Sequence, residues 1–191
     1  MLNIVIFGAP GSGKGTQSDK LIEHYNLFHI STGDVLRDHI RRGTDLGKTA
    51  KGFIDQGQLV PDDLIIDILA QVLDDNKEKA SQGVIFDGFP RTIPQAEALE
   101  RLLADRDMGV DAVVGLEVPE EELIKRILLR GKMSGRSDDN EETARKRLET
   151  YHNQTSPLKA YYEEQGKYRA INGMGSIDGI FDLIRQELDK C

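Results

Sequence analysis

The run Gly8-Ala9-Pro10-Gly11-Ser12-Gly13-Lys14-Gly15-Thr16 has the residue types that hold a polyanion. Glycines let a backbone wrap closely around an anion with several N–H groups turned inward. The run stands between an apolar stretch and a helical pattern, so the helix N-terminus adds its partial positive charge and Lys14 can reach the β/γ phosphates of a nucleotide. The position after Lys14 is Gly15, and the hydroxyl follows only at Thr16. That one-step departure from the usual phosphate loop points to water-mediated rather than direct Mg²⁺ contact. A glycine-rich turn without chemistry is the bland alternative. Three glycines plus a lysine between a strand and a helix argue against it, and for a nucleoside triphosphate. The loop does not say what is done with that nucleotide.

A second group is Asp87-Gly88-Phe89-Pro90-Arg91 with Gln95 four residues on. An acid at the C-terminal end of a buried parallel strand lies beside the phosphate loop in such folds, where Asp87 can hold the hydration shell of Mg²⁺. It can also simply cap the turn at Gly88. Phe89-Pro90 is a candidate cis peptide. Ser31 with Asp34 three residues later reads as a capping box, and Arg37 lies one turn into the helix that the box would start. Arg126 and Arg130 are spaced i, i+4 and share one helical face. Arg136, Asp138 and Asp139 follow across a short loop, with Arg145 and Arg147 in the next helix. A helix–loop–helix placement offers a hinge that can carry arginines onto a bound nucleotide; Arg145 reads as a solvated charge. His24, His29, His39 and His152 fall in no motif.

Short apolar runs at Leu2–Phe7, Phe28–Ile30, Gly83–Phe86, Val110–Val118 and Tyr168–Ile171 read as five strands. Helical patterns cover Lys14–Tyr25, Pro94–Leu103, Glu120–Arg130, Glu141–His152 and Ile177–Leu188. Strands alternating with helices imply a parallel sheet covered on both faces, an α/β/α architecture. Residues 31–60 hold two polar helical stretches and no strand, as an inserted flap would. Residues 131–137 read as a glycine-containing loop between charged helices.

The chain has 191 residues, 38% hydrophobic and 30% charged, which suits one folded domain with small insertions. Its 25 Lys+Arg against 33 Asp+Glu give a net charge of −8. That balance speaks against a general nucleic-acid binder, although 13 of the 25 basic residues are arginine, which directs any phosphate binding to one local site. No apolar run approaches the roughly 20 residues of a membrane span. The N-terminus has neither the basic nor the apolar region of a signal peptide, and the one cysteine, Cys191, excludes a disulfide framework or a cysteine zinc site. A cytoplasmic monomer is the expectation.

Gly8–Thr16, Ser31–Arg37, Gly57-Gln58-Leu59-Val60-Pro61, Asp87–Arg91 with Gln95, Ser134–Asp139 and Arg145-Lys146-Arg147 together resemble the ordered motifs of adenylate kinases, over nearly the whole chain. The stretch at 130–137 is short, as in the short-lid members, and lacks the cysteines of zinc-binding ones. The resemblance implies a P-loop NTPase-type core of residues 1–30, 61–129 and 138–191, an AMP-binding flap at 31–60 and a lid at 130–137. It implies that Gly11, Ser12, Gly13, Lys14, Gly15 and Thr16 cradle the ATP phosphates. Arg126 would stack on the ATP adenine, Arg130 would reach its phosphates, and the backbone of Gly175 would meet the base. Thr32, Arg37, Gln58, Leu59, Val60, Gly88, Phe89, Pro90, Arg91 and Gln95 match the AMP site, and Arg136 and Arg147 would bridge the phosphates of both nucleotides. The implied reaction moves the γ-phosphoryl of MgATP to AMP to give two ADP, with Lys14, Arg91, Arg130, Arg136 and Arg147 as the catalytic charges. Arginine suits the task because its planar fork holds two phosphate oxygens and stays protonated. Mg²⁺ is the implied ion, met by Asp87 through water, and no zinc is expected.

Base selectivity is the open step. The Gln95 amide matches N6 and N1 of adenine, and the same amide flipped matches uracil. Thr32 favours AMP, since the pyrimidine-nucleotide relatives resemble Ser-Ala-Gly there. A UMP or CMP kinase, a P-loop switch or ATPase, and a nucleotide-binding module without catalysis are the rival classes. The chain has no Asn-Lys-x-Asp guanine-reading motif, which speaks against the switch, and Lys14, Arg91, Arg136 and Arg147 are all present, which speaks against the module.

Overall fold

A computed structural model describes residues 2–56, 58, 60–134 and 141–191. Its sheet has five parallel strands: β1 (Leu2–Gly8), β2 (Phe28–Ser31), β3 (Gly83–Asp87), β4 (Ala112–Glu117) and β5 (Tyr168–Asn172). Their spatial order is β2-β3-β1-β4-β5. The expected α/β/α architecture is therefore present. The order reverses beside β1, and in open parallel sheets ligands bind at that crevice, beyond the carboxyl ends of the strands. The phosphate loop leaves β1 there.

The helices are α1 (Lys14–Tyr25), α2 (Thr32–Arg42), α3 (Asp45–Asp55), α4 (Asp62–Asp75), α5 (Lys77–Ala80), α6 (Ile93–Ala104), α7 (Glu120–Ser134), α8 (Glu141–Thr150), α9 (Pro157–Glu164) and α10 (Ile177–Leu188). A π-helical turn, Tyr151–Thr155, links α8 to α9. The pleat splits β1 between two cores. Ile4 and Ile6 pack with Leu21, Ile180 and Ile184 under α1 and α10. Val5 and Phe7 join the larger cluster that includes Leu36, Leu69, Leu99 and Leu158. Continuous burial of β1 and β3 on both faces explains why they read as unbroken apolar runs.

Residues 32–55 form a helical pair, as expected of the flap. A Cβ at Gly47 would lie 2.2 Å from the His39 carbonyl, so only glycine lets α3 approach α2 this closely. Three boundaries differ from expectation. The loop read at 131–137 is helical through Ser134, because Lys132 and Met133 are good helix formers and one interior glycine, Gly131, costs only about 1 kcal/mol. The helix read over Glu141–His152 ends at Thr150 and passes into the π-helical turn. Strand β4 is shorter than Val110–Val118. At its start Asp111 brackets Asn3, accepting from the Asn3 N–H at 2.7 Å and donating its own N–H to the Asn3 carbonyl at 2.8 Å. Helices α4, α5 and α9 have no counterpart among the expected elements. No helix among the described residues is long and apolar enough to cross a membrane.

Candidate active site

The phosphate loop is built by two backbone reversals. Gly11 and Gly13 have φ of +85° and +88°, a left-handed conformation that other residues rarely adopt. A Cβ at Gly13 or Gly15 would meet nothing within 4 Å, so both border open space. Gly13 caps α1 without any side-chain hydrogen bond, which leaves the first N–H groups of the helix for an anion. Gly11 faces the opposite way: a Cβ there would be 2.9 Å from Ile127 Cγ1 and from the Leu123 carbonyl. Helix α7 is thereby seated directly on the loop.

Lys14 forms an ion pair with Asp87 Oδ1 at the end of β3. Asp87 Oδ2 lies 3.2 Å from His29 Nε2. Burial pushes the Asp87 carboxyl up, but the His29 hydrogen bond and the Lys14 charge outweigh it and hold its pKa at about 2. The carboxylate is thus ionised and 8% exposed, a hard oxygen donor beside the phosphate loop. That fits a Mg²⁺ ion held through water. His29 is the residue that motif reading missed. Its one signal is a titratable side chain in a strand otherwise apolar up to Ser31, whose Cα partner is Asp87.

The turn after Asp87 collects the next group. The Phe89–Pro90 bond is cis, as anticipated. Gly88 has φ +82°, and its carbonyl accepts from Thr32 Oγ1 at 3.2 Å and from Arg91 Nε at 2.8 Å. Thr92 caps α6 by accepting from the Gln95 N–H at 3.3 Å. Gln95 is 1% exposed. Its Oε1 accepts from the Arg91 N–H and its Nε2 donates to Asp62 Oδ1, both at 2.8 Å. A backbone N–H can only donate, so the amide oxygen must face Arg91 and the amide has one orientation. These two bonds leave one N–H and one lone pair of the amide unused. Phe89 and Val60 are buried in the core, and Pro90 is buried as well. Gln58 is exposed, with its N–H bound to the Phe53 carbonyl.

Arg91 is exposed to solvent, and its backbone and Nε are tied into the turn through Gln95 and Gly88. Desolvation, together with the like charges of Arg147 and Arg37, lowers its pKa from the ordinary guanidinium value; Asp87 acts in the opposite sense. Arg37 of α2 and Arg147 of α8 thus lie near enough to Arg91 for their charges to act on it, and a bound anion would relieve that repulsion. Arg37 is exposed and paired with Asp34, while the Ser31 hydroxyl accepts from the Asp34 N–H at 3.3 Å, so the capping reading of Ser31 holds. Arg145 is exposed and paired with Glu141 on its own helix at 3.0 Å, as a solvated charge.

On the other side of the loop, Arg126 and Arg130 lie half-buried on α7. Arg126 Nε donates to Glu122 at 3.1 Å, and its Nη2 donates to the Gly173 carbonyl at 3.1 Å beside the Met174 sulfur. Gly173 also donates its N–H to the Glu117 carbonyl at 2.9 Å. The 173–175 turn, with Gly175 at φ +126° and open space at its Cβ position, is thus brought to Arg126. Leu59, Arg136, Asp138 and Asp139 lie outside the described residues.

A glycine-rich loop between the first strand and first helix of a five-stranded parallel sheet defines a P-loop type α/β protein. The family model for adenylate kinase matches residues 6–167. The chain is 64% identical over 190 residues to an adenylate kinase of Bacteroides thetaiotaomicron, covering 100% of both chains. It is 63% identical over 189 residues to one of Bacteroides fragilis, covering 99% of both. One of Thermus thermophilus is 48% identical over 185 residues, with 97% of this chain and 96% of the relative covered. The chain belongs to the adenylate kinase family, and as such it is a nucleoside monophosphate kinase, an ATP:AMP phosphotransferase.

Proposed function

We propose that the protein transfers the γ-phosphoryl group of MgATP directly and in line to AMP, reversibly, giving two ADP and so balancing the adenine nucleotide pool. The observation that supports this reading is the placing of cationic groups after neighbouring strands. Lys14 and the open α1 N-terminus follow β1, and Arg91, which feels the charges of Arg37 and Arg147, follows β3. The nucleophile is a phosphate oxygen of AMP, already ionised at neutral pH, so no strong general base is required. The protein's work is to position two polyanions and to neutralise charge that shifts during transfer.

Lys14 and the backbone of Gly11–Thr16 hold the donor phosphates, with Ser12 and Gly15 as part of that cradle. Arg126 stacks on the donor base against the 173–175 turn, and Arg130 reaches the donor phosphates. Thr32, Gln95 and Gly88 set the acceptor base, with Gln58, Leu59 and Val60 along its flap and Phe89-Pro90 shaping the turn beneath it. Arg37 and Arg91 hold the acceptor phosphate, and Arg136 and Arg147 bridge the two nucleotides. Asp87 would hold Mg²⁺ through water, and the ion would supply charge neutralisation on the triphosphate. Residues 31–60 act as the flap and 130–137 as the lid on a core of 1–30, 61–129 and 138–191, and their closure excludes water that would hydrolyse ATP. The protein works as a cytoplasmic monomer.

The test is to supply MgATP with AMP, UMP or CMP and measure nucleoside diphosphate formation. ADP from AMP, with little product from the pyrimidines, is the expected outcome. A preference for UMP or CMP would keep the mechanism and overturn the assignment of Thr32 and Gln95. No transfer to any acceptor would overturn the catalytic roles.

A further inference from the structure

The 173–177 turn joins β5 to α10 and is held at three points. Gly173 is bound through its N–H to the Glu117 carbonyl and through its carbonyl to Arg126. The third point is the Ile177 carbonyl, which accepts from Gln17 Nε2 at 3.1 Å. This contact differs in origin. Gln17 stands in the first turn of α1, three residues after Lys14, and its own N–H closes that turn onto the Gly13 carbonyl at 3.2 Å. One residue thus bonds both to the phosphate loop and to the turn that faces Arg126.

The chemistry of the side chain is unusual for its place. Gln17 is 2% exposed, and its Oε1 is buried with no hydrogen-bond partner among the described residues. An unsatisfied buried acceptor lowers stability, and an apolar side chain of similar size would avoid that loss. A half-satisfied amide in a packed helix–turn junction is therefore not explained by packing. What it does supply is a fixed distance between the two parts of the molecule that meet opposite ends of one nucleotide.

We propose that Gln17 is a positioning residue for the phosphoryl donor: it sets the spacing between the phosphate loop and the base-binding turn so that a single nucleotide spans both. The proposal rests on the reading of Gly11–Thr16 as the phosphate cradle and of 173–175 as the donor-base turn. A probe that lacks a base separates this role from general support of the fold, because inorganic tripolyphosphate engages only the phosphate end.

The experiment compares the wild type with Gln17→Met and Gln17→Leu, measuring binding of ATP and of tripolyphosphate by calorimetry, the KM for AMP, and thermal unfolding. Loss of one hydrogen bond that positions the turn is expected to weaken ATP binding roughly three- to tenfold in both variants. Tripolyphosphate binding and the KM for AMP stay unchanged, and the melting temperature is unchanged or higher. Equal weakening of ATP and tripolyphosphate, or no weakening of either, would overturn the proposal. A wild type that binds ATP no more tightly than tripolyphosphate would instead overturn the donor-base reading beneath it.

Discussion

The proposed donor and acceptor sides are built from different materials. On the side proposed for the acceptor, the polar groups are buried side chains: Thr32 at 5% and Gln95 at 1% exposure, each locked by hydrogen bonds to Gly88, Arg91 or Asp62. On the donor side the corresponding groups are backbone: the open N–H groups of α1, the 173–175 turn, and one guanidinium, Arg126, beside the half-exposed Met174. A buried amide with one fixed orientation leaves a mismatched base with unpaired polar groups, whereas a backbone cradle reads charge and shape. The difference teaches where each substitution should register.

The largest effect is expected where both sides depend on one charge. Lys14→Ala should lower kcat by roughly 10³-fold, because it removes a preorganised cation from the developing charge. Rapid-quench measurement of ADP formation would check this. Next comes Asp87, which joins the two sides. Its pKa of about 2 in the folded protein lies below the ordinary carboxylate value of 3.8, so its stabilising contribution is present above pH 3.8 and is lost as pH falls toward 2. The total is on the order of 2 kcal/mol. Urea unfolding across that window should show the loss in the wild type and not in Asp87→Asn.

A mirrored pair sharpens the contrast itself. Gln95→Leu should raise the KM for AMP roughly tenfold with little change for ATP, and should destabilise the fold by about 1–3 kcal/mol by stranding Asp62 and the Arg91 N–H. Arg126→Ala should raise the KM for ATP by a similar factor, roughly tenfold, and leave that for AMP alone. Steady-state kinetics with each substrate varied in turn would separate them. The smallest effect is expected at Arg145→Ala. Its exposed pair with Glu141 should count for little, with kcat/KM unchanged within about twofold.

Much of this is legible in the amino-acid sequence. The glycines of the phosphate loop, the acid at the end of β3 and the cap at Ser31 are local signals, each fixed by the chemistry of a few neighbouring residues. The parts that escaped depend on packing or on long-range pairing. Helix α4 is the exception: Ile65, Ile68, Leu69 and Leu73 stand at helical spacing, a local signal that the sequence reading passed over. Helix α9 begins at Pro157, which reads as a stop, and follows a π-helical turn that no residue pattern announces. His29 and Gln17 gain meaning only from partners 58 and 160 residues away. The Gln95 amide matched two bases in the sequence, and the structure fixes its orientation through Asp62, a contact 33 residues distant.

The central claim is a single direct transfer between two sites that face each other across β1 and β3. The stereochemical course at phosphorus tests it most directly, using ATP made chiral at the γ-phosphoryl with oxygen isotopes and sulfur, and AMP as acceptor. Direct in-line transfer predicts inversion of configuration in the ADP formed. Retention would mean two successive displacements through a phosphorylated side chain, and would contradict the account.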